Sequence, residues 1–141
     1  MSNSSMKTTF TGYTRYRGRE GQWSFLLHRI TGLGVLLFLV IHILDTATVY
    51  FFPSLYNEVI NIYRTTAFGI GEIALIFALL FHGINGVRIA YIDLVKPTLW
   101  TPEAERRSSM IALIVTLVIF IPSAVVMVRN ILVNNYGLFG G

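Results

Sequence analysis

Cysteine is absent from the 141-residue chain. Its absence excludes disulfides, thiolate zinc sites, cysteine-ligated iron–sulfur clusters and a cysteine nucleophile. Any metal or cofactor must therefore be held by histidine, carboxylate or backbone groups. Charge is also scarce, at 13% of residues, whereas soluble domains average about a quarter. Together with 54% hydrophobic residues, this composition favours a membrane protein of at most one domain.

Three apolar segments carry most of this hydrophobicity, at about 30–52, 67–92 and 110–128. Each has the length of the roughly 20 helical residues that cross a bilayer core. Strands of a β-barrel would be about half as long and would alternate in polarity. The sequence therefore predicts an all-α membrane protein with three transmembrane helices. We expect a polar basic segment at 1–22, the membrane domain at 23–134 and a tail at 135–141.

The basic residues are distributed unevenly about these segments. Of the eleven lysines and arginines, only Arg64 and Arg129 fall on one side of the expected membrane. The other nine precede or open the first segment or surround the connection between the second and third. By the positive-inside rule, the N-terminus and the 93–109 loop are expected in the cytoplasm, and the C-terminus outside. This topology accounts for the net charge of +4, so no nucleic-acid partner is expected.

Two connections carry the signals of a helix start. Thr101 and Pro102 have the pattern of an N-cap followed by proline at the first helical position. Pro53 begins a stretch, residues 53–64, that could form a short amphipathic helix on the outer surface. The sequence therefore predicts helical structure in both connections.

Ionisable side chains within or next to the apolar segments are costly unless they are paired or functional. Seven residues qualify: His28, Arg29, His42, Asp45, Glu72, His82 and Arg88. The structural alternatives stay open, because an arginine near a helix end can extend to the headgroups. Likewise, carboxylates near the outer ends can be solvated by water.

His82 lies roughly 15 Å inside the second segment, beside Gly83 and Gly86. Glycines next to a buried histidine let a flat macrocycle, or simply another helix, approach the backbone. Arg88 lies six residues further on, about 9 Å nearer the cytoplasm, where it can pair with an anionic group. A b-type haem, with its iron at the centre and propionates at one edge, fits this spacing. Alternatively, His82 hydrogen-bonds a carbonyl of a neighbouring helix.

Two stretches resemble a known family. SFLLHRITG at residues 24–32 resembles the S-x-x-H-R-x-[ST]-G signature of the cytochrome b556 membrane-anchor subunit (C subunit) of succinate dehydrogenase. HGINGVR at residues 82–88, followed by Asp93, resembles the H-x-x-x-G-x-R segment of that family. The resemblance covers about residues 20–132. One difference is that Ser24 lies one residue further from His28 than in the signature, so that Phe25 stands at the serine position.

The resemblance implies a subunit of succinate:quinone oxidoreductase, respiratory complex II, in the bacterial cytoplasmic membrane. In that enzyme of the tricarboxylic acid cycle, a flavoprotein subunit oxidises succinate and an iron–sulfur subunit carries the electrons onward. Two hydrophobic anchors share a helix bundle that holds haem b and binds ubiquinone or menaquinone, and the whole complex can form a higher oligomer. The alternatives are the anchor of a quinol:fumarate reductase and a small membrane subunit without redox function.

The resemblance also implies roles for individual residues. His82 would be an axial haem ligand, with its partner ligand supplied by the other anchor. The haem propionates would contact His28, Arg29 and Arg88. The quinone would contact Arg29 and Ser24. Trp23, just before this stretch, could pack on the quinone ring or else anchor the helix at the membrane interface.

In this family, anchors that hold one haem need no histidine in the middle of the first span. Anchors of the two-haem type carry a histidine at about the position of His42. His42 would therefore ligate a second haem, or else hydrogen-bond Asp45 or a carbonyl of an adjacent helix. It lies 14 residues from His28, which is about 21 Å along a helix and about 40° in direction. With two haems, Asp45 and Glu72 become candidates for proton handling at an outer quinone site.

Overall fold

The structure, a computed structural model, describes residues 20–138. Its helices are α1 (Glu20–Phe51), α2 (Pro53–Tyr63), α3 (Thr66–Leu94) and α4 (Pro102–Tyr136), with a 3₁₀ turn at Pro97–Leu99. The three long helices are long and apolar enough to cross a membrane. No strand occurs among the described residues. The predicted all-α fold with three spanning helices is therefore confirmed.

Each long helix extends beyond the apolar segment that predicted it. The largest extension is in α4, which has 35 residues and a length of about 52 Å, whereas the hydrocarbon core is about 30 Å thick. The helix ends therefore project past the core. Of the segments expected outside the membrane domain, residues 20–22 and 135–136 are helical and residues 137–138 follow the end of α4. Residues 1–19 and 139–141 lie outside the described residues.

Both predicted helix starts are present. Pro53 is the first residue of α2. At the start of α4, the Thr101 hydroxyl accepts a hydrogen bond from the backbone N–H of Ala104 at 3.3 Å, and Pro102 occupies the first helical position. The helical structure predicted in this connection is therefore the first part of α4, which continues without a break into the third span.

α3 packs against both α1 and α4. Few large apolar side chains are buried in these contacts, whereas five small or polar residues are: Ser24, Thr31, Asn85, Ser109 and Thr116. This is the pattern of helix packing in lipid, where apolar side chains gain little by leaving the bilayer and close packing decides association. The outer surface of α1 is strongly apolar, so lipid or another protein subunit must cover it.

Candidate functional site

Two of the three histidines form a stacked pair between α1 and α3. The ring centroids of His28 and His82 are 4.1 Å apart and the ring planes differ by only 4°. In addition, Nδ1 of His82 lies 3.1 Å from the backbone carbonyl oxygen of His28. From the sequence we expected both residues towards the cytoplasmic side of the membrane. The structure adds that the two side chains are in direct contact.

The contact with the carbonyl determines which nitrogen of His82 remains available. A carbonyl oxygen only accepts hydrogen bonds, so Nδ1 of a neutral His82 carries the proton and donates it. The lone pair is then on Nε2. A histidine whose other nitrogen donates to a carbonyl is the usual arrangement of a metal ligand. The two sequence-based interpretations of His82, a bond to a neighbouring carbonyl and a metal ligand, are therefore compatible.

Glycines make this close approach possible. A Cβ atom on Gly32 would lie 2.6 Å from Cε1 of His82, whereas Cβ atoms in folded proteins essentially never come within 3.0 Å of such a neighbour. A Cβ on Gly86 would be in ordinary contact with His28, at 3.5 Å from Cε1. Gly83 differs, because no atom lies within 4 Å of its would-be Cβ. Gly32 and Gly86 thus pack the histidine pair, and Gly83 leaves space beside it.

The pair has an open side and a covered side. The contacts of Ser24 with Asn85 and of His28 with His82 show that α1 and α3 run antiparallel. One residue turns a helix by about 100°, so the residues that follow the two histidines, Arg29 and Gly83, fall on the same side of the antiparallel pair. Both are exposed. We call the side that Arg29 and Gly83 share the open side of the pair; it faces away from α4, which lies on the covered side.

The covered side holds a polar network that connects all three long helices. Asn85 is fully buried, and its Oδ1 accepts hydrogen bonds from the Ser24 hydroxyl at 3.1 Å and from Arg88 Nε at 2.9 Å. Arg88 Nη1 donates to the Ser108 hydroxyl on α4 at 3.0 Å, and Ser108 donates to the carbonyl of Glu105. Arg88 is therefore held among the helices and does not extend freely to the headgroups.

The expected quinone contacts lie in different directions. The Ser24 side chain is buried and bonded to Asn85, whereas Phe25 is 57% exposed. The Arg29 guanidinium lies over the Phe25 ring, 5.3 Å from its centroid. Trp23 is exposed and lies six residues from Arg29, which is about 120° around α1. The structure therefore places Arg29 on the open side, and Trp23 elsewhere on the surface of α1.

His42, Asp45 and Glu72 are not brought to the histidine pair. The His42 ring is exposed and stacks on Phe38 at 5.3 Å, and within residues 20–138 it has no hydrogen-bond partner. Asp45 has a buried oxygen, Oδ2, that also lacks a partner within the described range. Glu72 lines a separate cavity at the other end of the bundle.

Sequence reasoning missed Asn85 because only ionisable groups were considered. An asparagine in the middle of an apolar segment is the signal that could have found it, because a buried amide needs hydrogen-bond partners. Two buried nitrogen atoms at this site, Nδ1 of His28 and Nδ2 of Asn85, have no hydrogen-bond partner among residues 20–138. Buried polar atoms are rarely left unpaired in complete sites, which indicates that residues 20–138 alone do not complete the site.

Comparison with known proteins identifies relatives that cover most of this chain. The model of the succinate dehydrogenase/fumarate reductase transmembrane subunit family matches residues 5–122. The membrane subunit SdhC of succinate dehydrogenase 2 from Mycobacterium tuberculosis is 38% identical over 115 residues, 80% of this chain and 81% of that protein. The succinate dehydrogenase hydrophobic membrane anchor subunit of Halobacterium salinarum is 28% identical over 104 residues, 73% and 77% of the two chains. The family match includes both stretches that carry the stacked histidines.

Proposed function

Because this chain belongs to the succinate dehydrogenase/fumarate reductase transmembrane subunit family, we propose that it holds haem b through His82 and passes electrons from succinate oxidation to quinone. The chain is an integral membrane protein and a subunit of an enzyme complex. The observation that carries the proposal is the hydrogen bond of His82 Nδ1 to the His28 carbonyl. This bond leaves the lone pair of Nε2 available to bind iron.

If the haem iron takes a second protein ligand, another chain would supply it. The His28 ring would not reach the same iron as His82, because the two rings are parallel and lie face to face at 4.1 Å. The chain has only three histidines, and the third, His42, is about 21 Å along α1 from His28. We therefore assign the other ligand to a second hydrophobic anchor subunit packed against the exposed apolar surface of α1.

The remaining residues bind and orient the haem. A bound haem supplies a one-electron carrier, while the protein sets its position and electrostatic environment. His28 and Arg29 are the groups that we assign to the propionates, since His28 stacks on His82 and Arg29 is the exposed residue that follows it on α1. Arg88 contributes positive charge from the covered side, where Asn85 and Ser108 hold it.

Arg29 is the residue that we assign to the quinone. Quinone carbonyl oxygens only accept hydrogen bonds, so the site must provide a donor. Ser24 gives its hydroxyl hydrogen to Asn85, which leaves it with acceptor lone pairs only. The exposed Arg29 guanidinium can donate to a carbonyl oxygen and stabilise the negative charge that develops on reduction. Trp23 would then pack at the rim of the site or anchor α1 at the membrane surface.

The family also includes enzymes in which quinol is oxidised and fumarate is reduced, and the same site serves both directions. A second haem at His42, with Asp45 and Glu72 handling protons near the outer surface, is a second candidate feature. The haem-to-flavin ratio tests it directly. A ratio of one removes His42 as a ligand, and a ratio of two that falls to one in His42→Ala supports it.

The proposed partners and the proposed topology can be tested on the purified complex. An affinity tag on this chain should recover a flavoprotein subunit, an iron–sulfur subunit and a second anchor from bacterial cytoplasmic membranes. Succinate should reduce the haem in that preparation. If the tagged chain is recovered without flavin, iron and succinate oxidation, it is a small membrane subunit without redox function and the proposal is wrong. Protease access to the N-terminus from the cytoplasmic side alone would support the orientation.

A further inference from the structure

The cavity that Glu72 lines lies at the end of the bundle opposite to the histidine pair and has a volume of about 460 Å³. It is open on one side and is lined by the connection that follows α2, the start of α3 and the last turns of α4. Its charged and amide-bearing lining residues are Arg64, Glu72, Asn130, Asn134 and Asn135. Met127 and Ile131 provide apolar surface on the α4 side. The cavity therefore combines both signs of charge with an apolar wall.

Hydrogen bonds between α3 and α4 fix the rim of this cavity. The Asn135 side-chain amide donates to the Thr66 hydroxyl at 2.9 Å, and Thr66 donates to the Tyr136 hydroxyl at 3.3 Å. At the same level the two helices are in close contact, since a Cβ on Gly69 would lie 2.7 Å from Cδ1 of Ile131. The walls that α3 and α4 contribute are therefore held in place by contacts within this chain.

The two charges on the cavity wall do not neutralise each other. Within residues 20–138, neither Arg64 nor Glu72 has a side-chain hydrogen bond or an ion pair. A guanidinium and a carboxylate that share a cavity without pairing can each bind the opposite charge of one zwitterionic ligand. The side-chain amides of Asn130 and Asn134 add neutral donors and acceptors between them.

The depth of the cavity in the membrane indicates where that ligand comes from. α4 has no charged residue between Arg107 and Arg129, a stretch of about 31 Å, which matches the thickness of the hydrocarbon core. Asn130 is the next residue after Arg129. The contact between Gly69 and Ile131 places Glu72, one turn further along α3, at nearly the same level. The cavity thus opens at the depth of the lipid headgroups.

We propose that this cavity binds the headgroup of a zwitterionic phospholipid that carries a primary amine, of the phosphatidylethanolamine class. Arg64 binds the phosphate and Glu72 binds the ammonium group. Met127 and Ile131 contact the glycerol and the first methylene groups. The proposal does not depend on the haem at His82 or on the quinone at Arg29, since none of these residues adjoins the histidine pair.

Lipid retention by the intact purified complex tests this proposal. The complex is delipidated in detergent and then incubated with equal amounts of phosphatidylethanolamine and phosphatidylglycerol. The lipid that remains bound after repurification is counted by mass spectrometry against the flavin content. We expect the wild type to retain phosphatidylethanolamine over phosphatidylglycerol by about tenfold, the effect of one charge-assisted hydrogen bond. Equal retention of the two lipids would overturn the proposal.

Variants with matched controls separate the two charges. Glu72→Gln should remove the preference for the amine-bearing lipid, because phosphatidylglycerol has no ammonium group. Arg64→Gln should lower retention of both lipids, because both carry the phosphate. The controls, Glu58→Gln and Arg129→Gln, change the same side-chain types at the same end of the bundle outside the cavity, and they should behave as the wild type. Loss of retention in the controls as large as in the cavity variants would contradict the assignment.

The soluble headgroup tests the alternative source of the same chemistry. Phosphoethanolamine added to the lipid-loaded complex should leave the bound lipid in place, because the acyl chains hold the lipid in the detergent belt. If phosphoethanolamine displaces the lipid, the cavity is a site for a soluble phosphate compound and the assignment to a membrane lipid is wrong.

Discussion

Gly32→Ala tests the packing of His82 most sharply, because it adds one methyl group at the closest approach of the two helices. That methyl carbon would lie 2.6 Å from Cε1 and 3.0 Å from Nδ1 of His82, whereas ordinary contacts begin at 3.4 Å. The ring must therefore move by about 0.8 Å, the difference between 2.6 and 3.4 Å. Overpacking of this kind typically costs about 1–3 kcal/mol.

This movement would weaken existing interactions of the His82 ring, because two contacts hold the ring in place. It stacks on His28 and donates from Nδ1 to the His28 carbonyl. If the ring turns away from α1, this hydrogen bond lengthens and Nε2, the nitrogen that we assign to the haem iron, changes direction. Changes to groups that orient a metal ligand typically lower metal affinity by about 10- to 100-fold. We expect a similar loss of haem affinity, with a shifted reduction potential in any haem that stays bound.

The assay is haem content per flavin in the purified complex, followed by a redox titration and the electron paramagnetic resonance spectrum of the oxidised haem. Gly34→Ala is the matched control, since it lies two residues away on α1 and no atom is within 4 Å of its would-be Cβ. If Gly32→Ala keeps the wild-type haem content, potential and spectrum as Gly34→Ala does, the tight packing against His82 has no functional consequence and the reasoning is refuted.

Two further predictions concern the open and the covered side of the histidine pair. Arg29→Ala should lower quinone reduction by at least about tenfold, through loss of a charge-assisted hydrogen bond, while succinate-dependent reduction of a soluble artificial acceptor persists. An equal loss of both activities would show that Arg29 does not act at the quinone. Asn85→Ala should lower the stability of the complex by about 1–3 kcal/mol, because it removes the hydrogen bond between Ser24 and Asn85 and leaves Arg88 Nε without its acceptor, with Ser108 still bonded to Nη1. Asn61→Ala, on exposed α2, is its control in thermal unfolding, and equal melting temperatures of the two variants would contradict the role of the network.

The spanning helices could be predicted from the sequence because their signal is one-dimensional. An uninterrupted apolar stretch of bilayer length, or a Thr101–Pro102 pair at a helix start, depends only on neighbours along the chain. The depth of His28 and His82 in the membrane follows from counting residues in the same way.

Rotation and register between helices could not be predicted in this way. The position of Arg88 near the end of the second apolar segment was compatible with a side chain extending to the headgroups, and its partners Asn85 and Ser108 became visible only once α3 and α4 were packed. For the same reason the sequence left open the direction of Ser24, which the structure turns towards Asn85. A single sequence carries no information about which faces of two apolar helices meet.

The most direct test of the proposed haem site is the reduced-minus-oxidised absorbance spectrum of the purified complex with wild-type chain and with His82→Ala. We predict the bands of a b-type haem in the wild type, and their loss or a clear shift in the variant with flavin content preserved. A wild-type complex without haem absorbance, or a variant with an unchanged spectrum, would contradict the assignment of His82 as the ligand.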